Sequence, residues 1–219
     1  MAHSIPFPIT CVFEFICFLV SVLSLRERNK KDWIRYFPLY LFFVFAFDLY
    51  GYIESKFIHA QNNYWLYNCF KLIDGWFCFL ILYKISATYY TKKIVYILEM
   101  TLGASVFIYE AITIGFSQYF RLTDLTNNVC VIFSSLMYYY YLLKDDEMIK
   151  LSVSTPFWIV AGFFFFSFGS ITTSLFFKYL ADINKQLGIP VRYIIFIAIN
   201  LILYSCWSYA FICRYKQRT

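Results

Sequence analysis

Apolar residues run along this chain in long blocks, separated by short clusters of charge. Seven blocks stand out: Phe7 to Leu25, Arg35 to Ile58, Tyr64 to Ile85, Lys93 to Gly115, Leu122 to Leu143, Ser154 to Phe177 and Pro190 to Cys213. Each suffices to cross a hydrocarbon core of ~30 Å, which takes about 20 residues of helix. Lipid offers no partner to a free amide or carbonyl, so such blocks must be helices or strands of a closed barrel. The period-two alternation of a membrane barrel is absent. The pattern therefore predicts an all-α polytopic transmembrane bundle of seven helices, a single domain over residues 1–219. The connectors are short, with no linker, repeat or low-complexity tract and no room for a separate catalytic domain.

Composition strengthens this picture. Hydrophobic residues make up 61% of the chain, too many for a soluble domain of 219 residues. The net charge of +6 does not point to nucleic acid, because the basic residues sit at helix ends, where headgroups and orientation explain them. The first block starts close to Met1 without a basic n-region or a small-residue cleavage site, so it reads as a retained helix rather than a signal peptide.

Lys and Arg in the connectors predict the orientation. One side carries Arg26, Arg28, Lys30, Lys31, Arg35, Lys84, Lys92, Lys93, Lys144, Lys150, Arg214, Lys216 and Arg218, 13 in all. The other carries 5: Lys56, Arg121, Lys178, Lys185 and Arg192. The basic side faces the cytoplasm, which puts the N-terminus outside and the C-terminus inside the cell inner membrane. Trp33, Tyr36, Tyr64, Trp65, Tyr89, Tyr90, Tyr119, Trp158, Tyr215 and the run Tyr138 to Tyr141 lie near block ends and read as interfacial aromatics. Gly162 and Gly169, with serines at helical spacing, read as a close helix contact. The seven cysteines fall within the blocks without CxxC spacing and read as small core residues.

Charges inside the blocks change the picture most. Six acids are expected at membrane depth, Glu14, Asp48, Glu54, Asp74, Glu99 and Glu110, against one base, Lys71. An isolated ion at mid-membrane costs at least ~2.5–3.5 kcal/mol, so these groups must be protonated, paired or hydrated in a cavity. Lys71 and Asp74, three apart on one helix face, are within pairing reach. At 1.5 Å per residue, Glu14 and Lys71 fall about 10 Å below the outer edge, and Asp48 and Asp74 about 15 Å. Glu54 and Glu110 are shallower, and Glu99 alone is nearer the cytoplasm. An outward-opening polar pocket follows, to which Asn68, Asn127, Asn128 and the Asn200–Tyr204–Trp207 face can contribute. The simpler alternatives are a structural Lys71–Asp74 pair, acids that reach the headgroups, and Asn200 as interhelical glue.

Several chemistries are excluded or disfavoured. His3 and His59 are the only histidines, too few for a zinc held by several of them. Val191 to Cys213 contains no Lys for a retinal Schiff base. No GxSxG, HExxH or Gly-rich phosphate loop occurs, and no family motif surrounds Asp48 or Asp74 to suggest an aspartyl protease. Neither enzymatic activity, a metal nor a cofactor is expected. The partners that fit are the lipid bilayer, a cytoplasmic protein meeting the basic loops, and a second copy of this chain.

Tyr67-Asn68 leading to Asp74, Thr155-Pro156-Phe157-Trp158 with Gly162 and Gly169, and Asn200 together give the chain a resemblance. It resembles the small seven-helix inner-membrane proteins of Bacteroidota, in which a Glu is expected near the position of Asp74. The resemblance implies location and topology rather than mechanism. Two functions remain open: a non-enzymatic sensor or signalling partner with a ligand pocket, or a proton- or cation-coupled transporter or pore, such as a membrane accessory of a defence system. The short loops and outward pocket favour the first and the acid excess the second. The absence of an inverted repeat weighs modestly against a carrier. The charge bias also predicts that a periplasm-active reporter fused after Thr219 is silent and one inserted at Asn62 is active. The reverse pattern would sink the seven-span topology.

Overall fold

The computed structural model describes residues 9–25, 33–54, 56, 64–87, 93–144, 150–187 and 190–217. Among them the regular structure is helical throughout: α1 Ile9–Leu23, α2 Tyr36–Ile53, α3 Tyr64–Ser86, α4 Lys93–Thr113, α5 Arg121–Lys144, α6 Thr155–Leu175, α7 Phe177–Leu187 and α8 Val191–Lys216. Single 3-10 turns at Trp33–Arg35 and Leu151–Val153 lead into α2 and α6. His3, Phe7, Ile58, His59, Tyr89, Tyr90 and the basic positions Arg26, Arg28, Lys30, Lys31, Lys92 and Arg218 lie outside the described residues.

Each apolar block contains one helix, and α7 is an addition. It occupies a stretch expected to be a loop. Its sequence repeats apolar residues at helical spacing, Phe177, Leu180 and Ile183, between Lys178, Asp182 and Lys185, so one side packs inward while the other stays polar. Among the described residues, four helical stretches are long and apolar enough to cross a membrane: Trp33–Ile53, Lys93–Thr113, Thr155–Leu175 and Val191–Lys216. α1 is as apolar but shorter, at 15 residues. The 23-residue α3 and 24-residue α5 match in length but are interrupted by Asn68, Lys71 and Asp74, and by Asp124, Asn127 and Asn128. The two long helices least suited to lipid thus carry the Lys71–Asp124 side of the polar interior, while α1, α2 and α4 contribute acids from more apolar surroundings.

α8 packs most extensively on α6 and also on α1, while α5 bridges α6, α3 and α4. Close approach at α6–α8 follows from glycine. A Cβ at Gly162 would lie 2.8 Å from Trp207 Nε1, and one at Gly169 would lie 2.6 Å from Ile199 Cγ2. In lipid, where apolar burial gives no net drive between helices, such contact is a main source of association. Trp207 then anchors an aromatic cluster. Its ring centroid lies 5.1 Å from Phe163, 5.2 Å from Phe37 and 5.9 Å from Tyr204. Tyr40 of α2 stacks on Phe77 of α3 at 3.7 Å. Each such pair adds about 0.5–1.5 kcal/mol beyond burial.

The tyrosine run at the end of α5 corrects an expectation. Tyr138 is 1% exposed and belongs to the core, whereas Tyr140 is 62% exposed. Consecutive helical residues point about 100° apart, so Tyr138 turns into the bundle while Tyr140 faces outward. The cysteines are all free thiols, five buried and two half-buried.

Gly162→Ala should lower stability by about 1–3 kcal/mol through overpacking against Trp207. Ser105→Ala, on the exposed side of α4, should change it little. Thermal unfolding in detergent checks both. An unchanged melting temperature for Gly162→Ala would show that α6 and α8 are less tightly apposed.

Candidate functional site

A cavity of about 260 Å³ lies between α1, α2, α3, α5, α6 and α8. Five of the eight expected residues line it: Glu14, Asp48, Lys71, Asp74 and Asn200. Asp124, Asn127, Asn128, Tyr67, Tyr204 and Ser167 complete its polar lining. Tyr40, Phe70, Phe163, Phe166, Phe196 and Trp207 supply aromatic walls.

The ion pair differs from expectation. Lys71 Nζ lies 2.6 Å from Asp124 Oδ1, across the α3–α5 interface, rather than on Asp74 of its own helix. Helix proximity is the reason. Asn127 Nδ2 donates to the Lys71 carbonyl at 3.1 Å. Gly75 of α3 and Gly103 of α4 leave the room that Asn127 fills, and a Cβ at Gly103 would lie 2.8 Å from its Oδ1. The Asp124 carboxylate, in the first turn of α5, is therefore brought onto the ammonium, and an acid there is also favoured by the helix dipole. Asn128 donates to the Asp124 carbonyl at 2.8 Å, its Oδ1 at 3.2 Å and Ser170 Oγ at 3.3 Å. Asp74 instead accepts a short hydrogen bond from the Tyr40 hydroxyl.

Glu14 and Asp48 form the other acidic wall. Glu14 is 1% exposed and accepts a long hydrogen bond from Tyr204 at 3.4 Å through Oε1, while its buried Oε2 has no hydrogen-bond donor. Asp48 faces it from α2, with one carboxylate oxygen of each within 4.8 Å of the other.

Three expected residues lie outside the cavity. Glu99 accepts from Ser134 Oγ at 2.7 Å and ties α4 to α5. Glu110 is a helix cap. It accepts from Leu122 N at 3.0 Å, Thr123 N at 2.8 Å and Thr123 Oγ1 at 2.7 Å, satisfying amides that the start of α5 leaves free. Glu54 is buried at the C-terminal end of α2, its Oε2 without a hydrogen-bond partner. Asn68 is structural too: it donates to the Gln118 carbonyl at 2.7 Å and accepts from Phe120 N at 3.0 Å, pinning the α4–α5 connector to α3.

The two ends of the cavity differ. Where α5 and α8 begin, Asp124 also lines a second cavity of about 390 Å³ with Tyr64, Tyr119, Arg121 and Arg192. The guanidinium carbons of Arg121 and Arg192 both lie 4.9 Å from the Phe177 ring, so α7 helps to hold them at this mouth. Tyr119, in the connector, borders Asp124, and burial pushes its hydroxyl up to about 12. Toward the start of α2 and the end of α8, the lining residues are Tyr40 and Trp207. Beyond them Phe37, Ile34, Ala210 and Phe211 are fully buried.

Sequence reasoning left out Asp124, Tyr40 and the contribution of α7. Asp124 had a visible signal: with Asn127 and Asn128 it makes a polar face at i, i+3 and i+4 inside the fifth block. Comparison with known protein families, curated proteins and solved structures finds no match to this chain.

Lys71→Ala should cost about 3 kcal/mol, the low end for a pair broken on one side, because Lys71 and Asp124 keep 19% and 10% side-chain exposure. Lys56→Ala, whose ammonium meets Tyr52 at the surface, should cost far less. Asp124→Asn should rescue Lys71→Ala in detergent unfolding better than Asp74→Asn does. The opposite ranking would overturn the assigned pair.

Proposed function

We propose that this chain is a non-enzymatic integral membrane protein in which α1–α6 and α8 cross the bilayer, and that it admits a small cation from outside and reports its occupancy as a sensor or signalling partner. α7 lies at the outer surface in this arrangement. The observation that carries the reading is the charge balance of the cavity. Four carboxylates face one ammonium. That ammonium is already paired with Asp124, and Asp74 has the Tyr40 hydroxyl. Glu14 and Asp48 have no ion-pair partner among the described residues, and a bound cation would supply one. The aromatic walls suit a cationic guest as well.

The same geometry favours binding over conduction. A proton or cation path through Asp48, Asp74 and Glu99 needs them in one chamber, whereas Glu99 is engaged with Ser134 outside it. Among the described residues, the side chains packed beyond Trp207, Phe37, Ile34, Ala210 and Phe211, are apolar and fully buried, which supports a closed inner end. The location belongs to the proposal too: the cell inner membrane, with the N-terminus outside and the basic loops toward a cytoplasmic protein, as the resemblance to small seven-helix proteins of Bacteroidota implies. Transport, including service as a membrane accessory of a defence system, is the second reading, favoured by the excess of acids.

Two measurements on purified protein separate them. In liposomes with an imposed pH or potassium gradient and an internal pH dye, flux should not exceed that of empty vesicles. Flux abolished by Asp74→Asn would establish transport instead. In detergent, a panel of alkyl amines and divalent metal ions should include a cation that raises the melting temperature saturably. Asp48→Asn should remove that shift and Glu99→Gln should retain it. No stabilising cation in the panel, or equal loss in both variants, would overturn the pocket assignment.

A further inference from the structure

We infer that the cation site is a transition-metal site formed by Cys11, Glu14 and Asp48, and that its ligand is a borderline-soft divalent ion of the Zn²⁺ class. This rests on the cation-pocket reading and narrows it. Cys11 and Glu14, three residues apart on α1, present their side chains to one side of that helix, and Asp48 meets them from α2. One ligand atom from each lies within 4.8 Å of the others. Around a tetrahedral zinc bound at 2.0–2.3 Å, neighbouring ligand atoms are about 3.5 Å apart, so side-chain shifts of roughly 1 Å close the triad.

The second observation is independent of that spacing. Glu14 Oε2 is buried and no N–H or hydroxyl donor among the described residues reaches it, on a residue that is 1% exposed and lines the cavity. Two carboxylates side by side in a membrane interior need either a shared proton or a cation. The fully buried thiol of Cys11 beside them selects among cations. Mg²⁺ and Ca²⁺ favour all-oxygen shells, whereas a thiolate with two carboxylates suits Zn²⁺, Co²⁺ or Cd²⁺. Three protein ligands leave a fourth position open toward the cavity, the arrangement of an exchangeable rather than a closed structural site.

The proton balance follows. On binding, Cys11 exchanges its S–H bond for a metal–sulfur bond, and any proton shared by Glu14 and Asp48 also leaves, both going to solvent through the cavity. Binding therefore releases about one to two protons per metal and strengthens as pH rises.

The test uses the full chain in detergent, with Co²⁺ as the probe. Co²⁺ should bind at one equivalent with thiolate-to-metal absorption in the near ultraviolet. Zn²⁺ and Cd²⁺ should displace it and Mg²⁺ should not. Cys11→Ser should abolish the absorption, whereas Cys17→Ser, also buried on α1, should keep it. Asp48→Asn should weaken Co²⁺ binding at least about tenfold. If Cys11→Ser is not monodisperse, Asp48→Asn decides, because its side chain lines the cavity. The inference is overturned if Co²⁺ does not saturate, if the absorption survives in Cys11→Ser, or if Asp48→Asn binds as wild type does. It is also overturned if alkyl amines stabilise the protein while no metal does, an outcome that leaves the broader cation-pocket reading standing.

Discussion

A carboxylate enclosed by apolar helices must meet an ammonium, a proton, a metal ion or a set of hydrogen-bond donors, and this requirement arranges the molecule. Asp124 meets Lys71. Glu110 meets the amides at the start of α5, Glu99 meets Ser134 and Asp74 meets Tyr40. Each solution joins two different helices, because a helix already uses its own backbone groups internally. Polar groups that would be a liability in lipid thereby become the links that specify which helices are neighbours.

The links only work because the backbones come close. Gly75 and Gly103 admit Asn127, and Asn127 holds α5 against the Lys71 carbonyl. Gly162 and Gly169 admit Trp207 and Ile199 and seat α8 on α6. Trp207 stands where the two systems meet. It lines the cavity and packs against Phe37 and Phe163. One side chain thus closes the polar chamber and begins the apolar plug. Under the proposed function, a change of occupancy above Trp207 would reach the packing of α2, α6 and α8 through these ring contacts. That coupling is what the proposed sensing role requires.

The asymmetry of the bundle bears on the same proposal. Arg121, Arg192 and Tyr119 crowd the mouth where α5 and α8 begin, and α7 supports them through Phe177. Fixed positive charge at a mouth would repel a cation. Here it stands beside Asp124, whereas Glu14 and Asp48, which have no ion-pair partner among the described residues, line the first cavity away from the arginines. Under the proposed function, such an arrangement would slow entry and hold a bound cation, as suits a receptor of occupancy more than a conductor of rapid flux.

The helical class was legible in the sequence because length and apolarity answer to the bilayer, a constraint that acts on each segment alone. So was the presence of an interior polar set: a charge amid LFFVFAFDLYGYI must find company wherever the helix goes. Partner identity was not legible. Lys71 and Asp74 look paired by spacing, yet Asp124, 53 residues on, takes the ammonium because Asn127 fits between Gly75 and Gly103. Glu110 and Glu54 resemble pocket acids, and only the position of the α5 amides shows that Glu110 is a cap. Cys11 reads as a small apolar residue until α2 brings Asp48 beside it. Periodicity reports which face of a helix is polar, but which groups from other helices meet that face depends on close packing between segments far apart in the chain. Only the tertiary structure decides that.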